Sequence, residues 1–385
     1  MKPKEGFALW QLGFRPFYLL AGAFAAVSAP LWAFEFAGWL PWSYLSDPLW
    51  HAHEMLFGFT LAVMAGFLLT AGRNWAARPT ATGVPLALLA LLWVGGRILV
   101  PTPFVWAAAA ANVAFPLALG VALAVPFVAA RSRRNYFFPA LMILMAATVL
   151  LVHLGKLGII AAPAWAGIRI GLDIVLFVTS VMSGRVVPMF TNNGVPGANA
   201  IRLPTLEKAA LGSVLALLVA DAAQVSGTAL IALTALAAGL HAWRWLLWKP
   251  WRTGKVPLVW ALHIAYFWIP VHLALRSLAE GGWLPASAAT HALAVGAVGG
   301  LIMAMMTRTS LGHTGRALKA SVADAIGYLL VFAAAVIRVF VPLIAPELVV
   351  SSVLISALVW SAAFALFVWR YTPILIRPRI DGQPG

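Results

Sequence analysis

Hydrophobic positions along the chain gather into runs of about 20 residues, parted by short polar joins. A helix needs about 20 apolar residues to cross roughly 30 Å of hydrocarbon at 1.5 Å per residue. The pattern predicts spans over 15–38, 50–71, 83–100, 104–130, 135–156, 162–184, 205–225, 227–248, 256–279, 286–307, 321–344 and 347–370. Pro and Gly mark several joins, as at Arg78 and Pro79, at Pro101 and Pro103, and at Gly281 and Gly282.

Charge then orients the spans. One set of alternate joins carries Lys2 and Lys4; Arg73 and Arg78; Arg131, Arg133 and Arg134; Arg202 and Lys208; Lys249, Arg252 and Lys255; Arg308, Arg316 and Lys319; and Arg377 and Arg379. The other set holds Asp47, Glu280 and Glu347 and little Lys or Arg. The positive-inside rule puts the first set in the cytoplasm. A miscounted span would break the alternation. The expected fold is therefore an all-α integral membrane protein of about twelve transmembrane helices, with both termini cytoplasmic. It is expected to form a single polytopic domain over residues 1–385. The first span is too long for a signal-peptide core and is expected to be retained. Trp39, Trp42, Trp50, Trp248, Trp251 and Trp283 sit near span ends, as interfacial belts do.

Composition sharpens this picture. Of 385 residues, 63% are apolar and 10% charged, whereas a soluble domain carries about a quarter charged residues. The net charge of +15 is spread over short joins and forms no continuous basic face, so it reads as membrane topology and not as nucleic-acid binding. There are no cysteines, which excludes disulfides, thiolate-ligated haem, cysteine-bound iron–sulfur clusters and covalent c-type haem. Any metal must rest on His, Met, carboxylate or backbone.

Topology gives each histidine a depth. His51 and His53 open the second span at its outer end, His153 closes the fifth on that side, and His291 starts the tenth. His272 lies in the outer part of the ninth, about 10 Å from the interface. His241 and His263 fall near inner span ends, and His313 in the loop after span ten. His263 and His272 stand about 13.5 Å apart along the helix on opposite faces, so they cannot share a metal. Any one of these alone could be a hydrogen-bonded interfacial residue. The outer group together predicts a metal or haem, because imidazole is the usual neutral ligand of haem iron and copper.

Other polar groups qualify that prediction. Glu54 stands three residues from His51, on one helix face, where it could orient an imidazole or handle protons. It is the candidate catalytic group. The zinc-protease spacing His-Glu-x-x-His is absent. Arg169 and Asp173, four apart, predict an ion pair on the sixth span. Arg97, Arg276 and Arg338 lie toward the outer side, with Lys156 at its edge. Such arginines either bind haem propionates bidentately or snorkel to the interface. The segments Ser183–Asn193 and Met306–Arg316 end inner half-spans. Their glycines and Pro188 predict backbone that leaves the helix at a protein-lined or watered site, or else an ordinary basic loop. Met303, Met305 and Met306 could ligate copper or simply pack. An outer His, a Gly five residues on and an inner Arg recur in His53, Gly58, Arg73 and in His291, Gly296, Arg308, which could reflect an old duplication.

Several motifs occur together: Leu12–Phe17 (LGFRPF), His51–Met55 (HAHEM) with Ala65–Thr70 (AGFLLT), Gly184–Pro188 (GRVVP), and His291 followed by Met306–Arg316 (MTRTSLGHTGR). In this order, over roughly 10 to 320, they resemble the NnrS family. The resemblance implies a multi-pass protein of the bacterial inner (cytoplasmic) membrane, linked to the nitric oxide response and denitrification. Haem and copper are the cofactors it implies, and His51, His53, His291 and His313 fall in its motifs. The lack of cysteine agrees with non-covalent haem b. The expected cofactor-binding residues are His51, His53, His153, His272, His291, Arg97 and Arg276. Among metal ligands His51, His272 and His291 come first, then His263 and His313. The expected function is to bind or turn over nitric oxide and relieve nitrosative stress, as a nitric oxide-metabolising haem oxidoreductase where turnover occurs. Its partners would be the lipid bilayer, nitric oxide and an electron donor, with no nucleic acid. The alternative is a membrane transporter or a metal- or haem-handling protein without redox catalysis. A sensor or assembly partner is a third reading.

Overall fold

The structure, a computed structural model, describes residues 6–40, 45 and 47–383, without the side chain of Asp47. Lys2, Lys4 and Trp42 lie outside the described residues. Twelve apolar helices follow one another, with no strand among the described residues. They are α1 (Phe14–Phe36), α2 (Pro48–Ala76), α3 (Gly83–Leu99), α4 (Val105–Ala129), α5 (Phe137–Lys156) and α6 (Ala164–Gly194). Then come α7 (Pro204–Ala222), α8 (Thr228–Leu247), α9 (Pro257–Glu280), α10 (Ala286–His313), α11 (Val322–Ile344) and α12 (Val349–Leu375).

These match the predicted spans one for one. Ten qualify as membrane spans by length and hydropathy. The exceptions are α3, at 17 residues, and α7, which carries Glu207, Lys208 and Asp221. The backbone N–H of Ala8 donates to the Ile376 carbonyl at 2.8 Å, so the start of α1 and the end of α12 share one side. The positive-inside rule makes that side cytoplasmic. The protein is a multi-pass, all-α membrane protein.

Three features depart from the sequence pattern. The segment Ser183–Asn193 does not leave the helix, since α6 continues to Gly194. Gly184 serves close approach instead: a Cβ there would lie 1.6 Å from Arg244 Nη2. Pro188 is accommodated inside the helix, as neighbouring helices permit in membranes. Likewise Met306–His313 belongs to the last turns of α10, so His313 is a helix residue. Thr307 and Thr314 hydroxyls donate back to the Met303 and Ser310 carbonyls at 2.8 and 2.6 Å, which satisfies these polar side chains locally. Finally, α2 and α10 each contain a π-helical stretch, Glu54–Thr60 and Ala292–Gly299, beginning directly after His53 and His291.

Each π stretch holds a glycine against an intruding side chain. A Cβ on Gly58 would lie 2.8 Å from Arg97 Nη1 and from the Phe24 ring; one on Gly296 would lie 2.3 Å from the Trp268 indole. The widened turn also exposes carbonyls to outside donors, and Trp93 Nε1 donates to Gly58 O at 3.0 Å.

The chain divides into two compact units. Unit 1 comprises Met1–Gly171, Thr309–Ala317 and Phe364–Gly385. Unit 2 comprises Leu172–Arg308 and Leu318–Ala363. Within unit 1, α2 packs on α1 and α4, and α4 packs on α3 and α5. Within unit 2, α9 lies between α8 and α10, with α7 beyond α8 and α11 against α10.

Candidate functional site

In unit 1, α2, α3, α4 and α5 bring buried polar side chains together in apolar surroundings. His53 is wholly buried, and its Nδ1–H donates to Glu54 Oε1 at 2.8 Å. Arg97 Nη1 lies 2.6 Å from the same oxygen, making a buried ion pair, and Arg97 Nη2 donates to Asn112 Oδ1. Asn112 is held in turn through Nδ2, which donates to the Ala108 carbonyl at 2.8 Å. The buried His153 ring stands edge-on to the His53 ring, with centroids 5.1 Å apart.

The tautomer of His53 follows from this arrangement. With Nδ1 protonated and donating to a carboxylate, a neutral ring keeps its lone pair on Nε2. That Nε2 is buried and has no hydrogen-bond partner among the described residues. A pinned imidazole with a free Nε2 is what a metal ligand requires, and the carboxylate makes it a stronger donor.

In unit 2 the counterpart is His272 on α9. It is buried, and Nδ1–H donates to the Ala289 carbonyl at 2.7 Å, leaving Nε2 without a partner among the described residues. Ala289 precedes His291 by two residues on α10, and His291 Nδ1–H donates to Ser287 O at 2.7 Å. One turn after His272, Arg276 donates through Nη2 to both carboxylate oxygens of Asp221 and through Nη1 to Asp173 Oδ1 at 3.3 Å. The predicted Arg169–Asp173 pair is thus replaced, because Asp173 turns to the arginine of a neighbouring helix. Arg169 makes no ion pair among the described residues.

The expected outer group therefore resolves by unit: His51, His53 and His153 belong to unit 1, His272 and His291 to unit 2. His51 stacks on Trp32, with ring centroids 4.0 Å apart, and Glu54 meets His53 instead of His51. Arg97 and Arg276, candidate propionate partners, are engaged by protein carboxylates. No cluster of three or more His, Cys, Asp or Glu suited to a metal ion forms among the described residues.

The inner histidines differ. His263 Nε2–H donates to Thr191 Oγ1 at 2.7 Å, while its Nδ1 has no partner among the described residues. His313 lies against Phe14, with centroids 5.6 Å apart. The charges of Arg379, Arg15 and Arg73 bear on it, a setting that opposes a metal cation. His241 belongs to a network that sequence reasoning missed. The wholly buried Arg244 donates to Glu207 through Nε at 3.0 Å and Nη2 at 2.7 Å, and through Nη1 to Ser180 O and to Tyr266 Oη. Tyr266 in turn donates to His241 Nδ1 at 2.7 Å. His241 Nε2–H donates to Ala210 O at 3.1 Å, so this ring is committed to the protein.

The family model described as NnrS protein matches residues 8–379, nearly the whole chain. The chain belongs to the NnrS family. No curated protein matches it. The NnrS match spans both units and both pinned histidines.

Proposed function

We propose that this NnrS-family protein binds haem b, with copper as a further metal, and uses it to bind or turn over nitric oxide and relieve nitrosative stress. His53 and His272 are the ligands this reading names. The observation that carries it is a pair of buried imidazoles, each with Nδ1 engaged and Nε2 unpartnered among the described residues. A fully buried lone pair with no donor costs free energy unless something occupies it.

The donor set favours particular metals. Without a cluster of three His or carboxylates among the described residues, an all-protein cage of the zinc type is not at hand. Haem iron takes most of its ligands from the porphyrin and asks only one or two imidazoles of the protein. Copper(I), a soft ion, accepts low coordination and would suit the neighbouring His53 and His153 rings. Such a centre would supply electron exchange and affinity for nitric oxide. Glu54 holds the His53 ring and tautomer and strengthens it as a donor; Arg97 holds that carboxylate in place. Nitric oxide is small and uncharged, so a centre buried among apolar helices remains accessible to it through the bilayer.

The test is absorption spectroscopy on the purified protein, oxidised, reduced and treated with nitric oxide, together with metal analysis. A b-type spectrum that responds to nitric oxide, and loses intensity in His53→Ala and His272→Ala, is the expected result. Full haem occupancy in both variants would remove these ligands from the reading. Substrate flux in proteoliposomes with no haem or copper bound would replace it with a transporter.

A further inference from the structure

At the cytoplasmic end of unit 1, four separate stretches of chain deliver arginines to one place. Arg15, in the first turn of α1, is wholly buried and donates through Nη1 to the Leu375 and Arg377 carbonyls at 2.8 and 2.7 Å. Arg379 Nη1 donates to the His313 carbonyl at 3.2 Å, and the Ile380 N–H donates to Thr314 O at 3.2 Å. The segment after α10, with Arg316, is thereby tied to the segment after α12. The end of α2 joins through Phe14 N–H, which donates to Thr70 Oγ1 at 2.9 Å; Arg73 lies in the last turn of that helix.

The charges act on one another across this end. Arg316 and Arg379 bear on Arg15, Arg377 bears on Arg316, and Arg379, Arg15 and Arg73 bear on His313. Opposing them is Asp381, which sits over the Gly315 turn and is already gripped by Arg379 through Nε at 2.9 Å and Nη2 at 2.5 Å. Burial and Arg377 hold the Arg316 guanidinium below its usual range. Arg15, Arg73, Arg316, Arg377 and Arg379 thus share this end with one carboxylate, which Arg379 already holds. Topology alone asks for cations near the inner surface; it does not ask for several to be drawn together from separate segments by specific hydrogen bonds.

We propose that this end of unit 1 is a binding site for a phosphate-type oxyanion, either free phosphate or the phosphate of an anionic lipid headgroup, held by Arg73, Arg316 and Arg377 over a base fixed by Arg15 and Arg379. Guanidinium forks match the tetrahedral oxyanion, and the inner leaflet presents phosphates at this depth. The site stands apart from the histidines and does not rest on the redox reading.

The experiment measures the thermal unfolding midpoint of the full-length protein in phosphate-free detergent, then with inorganic phosphate or with chloride at matched ionic strength. A second arm compares nanodiscs of phosphatidylcholine with nanodiscs that also contain phosphatidylglycerol. Binding to the folded state raises the midpoint by mass action. The expected result is a rise of several degrees over chloride in one arm, lost in Arg73→Gln and Arg316→Gln but kept in Arg134→Gln, a basic-loop control outside this group. A rise with free phosphate names the soluble anion; a rise only with phosphatidylglycerol names the headgroup. Should Arg73→Gln fail to fold, the exposed Arg377→Gln replaces it. The same midpoint in every condition, or equal losses in Arg316→Gln and Arg134→Gln, overturns the site.

Discussion

The two units each hold a pinned histidine, but they pin it differently. In unit 1 the Nδ1 proton of His53 goes to the Glu54 carboxylate, which is itself tied to Arg97. In unit 2 the Nδ1 proton of His272 goes to a backbone carbonyl, and the nearby Arg276 is tied to Asp173 and Asp221 instead. A carboxylate partner makes imidazole the more electron-rich ligand, whereas a carbonyl leaves it near its ordinary strength. If both bind metal, the unit 1 centre should favour the oxidised state and have the lower reduction potential.

The most disruptive test lies in the network beside the unit 2 histidine. Arg244→Ala breaks a buried ion pair and leaves Glu207 only the half-exposed Arg202, 3.5 Å away; breaking a buried pair costs about 3–5 kcal/mol. A large fall in thermal midpoint is expected. Next, His53→Ala and His272→Ala should each abolish one centre and spare the other, read as the haem or copper content of each variant. Equal losses from either variant would merge the two centres into one.

Glu54→Gln discriminates more finely. It keeps a hydrogen-bond acceptor but removes the negative charge, so metal affinity should fall roughly 10- to 100-fold. A redox titration should show the unit 1 potential rising while that of unit 2 stays put. An unchanged potential would break the contrast drawn above.

Smaller effects separate the π stretches. Gly58→Ala meets the Arg97 guanidinium and the Phe24 ring, each at 2.8 Å, whereas Gly296→Ala meets the rigid indole of Trp268 more closely. Both should destabilise by about 1–3 kcal/mol, with Gly296→Ala the worse of the two in a thermal scan. The smallest effect belongs to the exposed Asp381. Its hydrogen bond with Arg379 lowers its pKa from the ordinary 3.8 to about 2. A depressed carboxylate contributes its stability above the ordinary value and loses it as pH falls through the lowered one. The midpoint difference between the wild type and Asp381→Asn should therefore be slight near neutrality and vanish as pH falls from about 4 toward 2.

Legibility in the sequence followed physical range. The helices could be read because hydropathy over about 20 residues and loop charge are local sums. The length of α6 and α10 could not, because the glycine of Gly184–Pro188 signals close approach by Arg244, from a helix far along the chain. Glu54 was recognisable as the partner of an imidazole. Helical spacing pointed to His51, three residues before Glu54, whereas the carboxylate takes the adjacent His53, a side-chain choice that spacing does not reveal. The pairs Glu207–Arg244 and Asp221–Arg276 join residues 37 and 55 positions apart. The one cue available was depth: each acid and its arginine lie toward the same side of the membrane.

The clasp between the two ends of the chain has a consequence for biogenesis. Arg15 is buried against carbonyls that are synthesised more than 350 residues later. During translation the first helix must wait in the bilayer with that guanidinium provisionally solvated at the inner surface. Unit 1 can close only after the last helix has emerged from the ribosome and inserted. A nascent chain stopped before Leu375 should thus remain protease-sensitive at its first helix, however complete the intervening helices are.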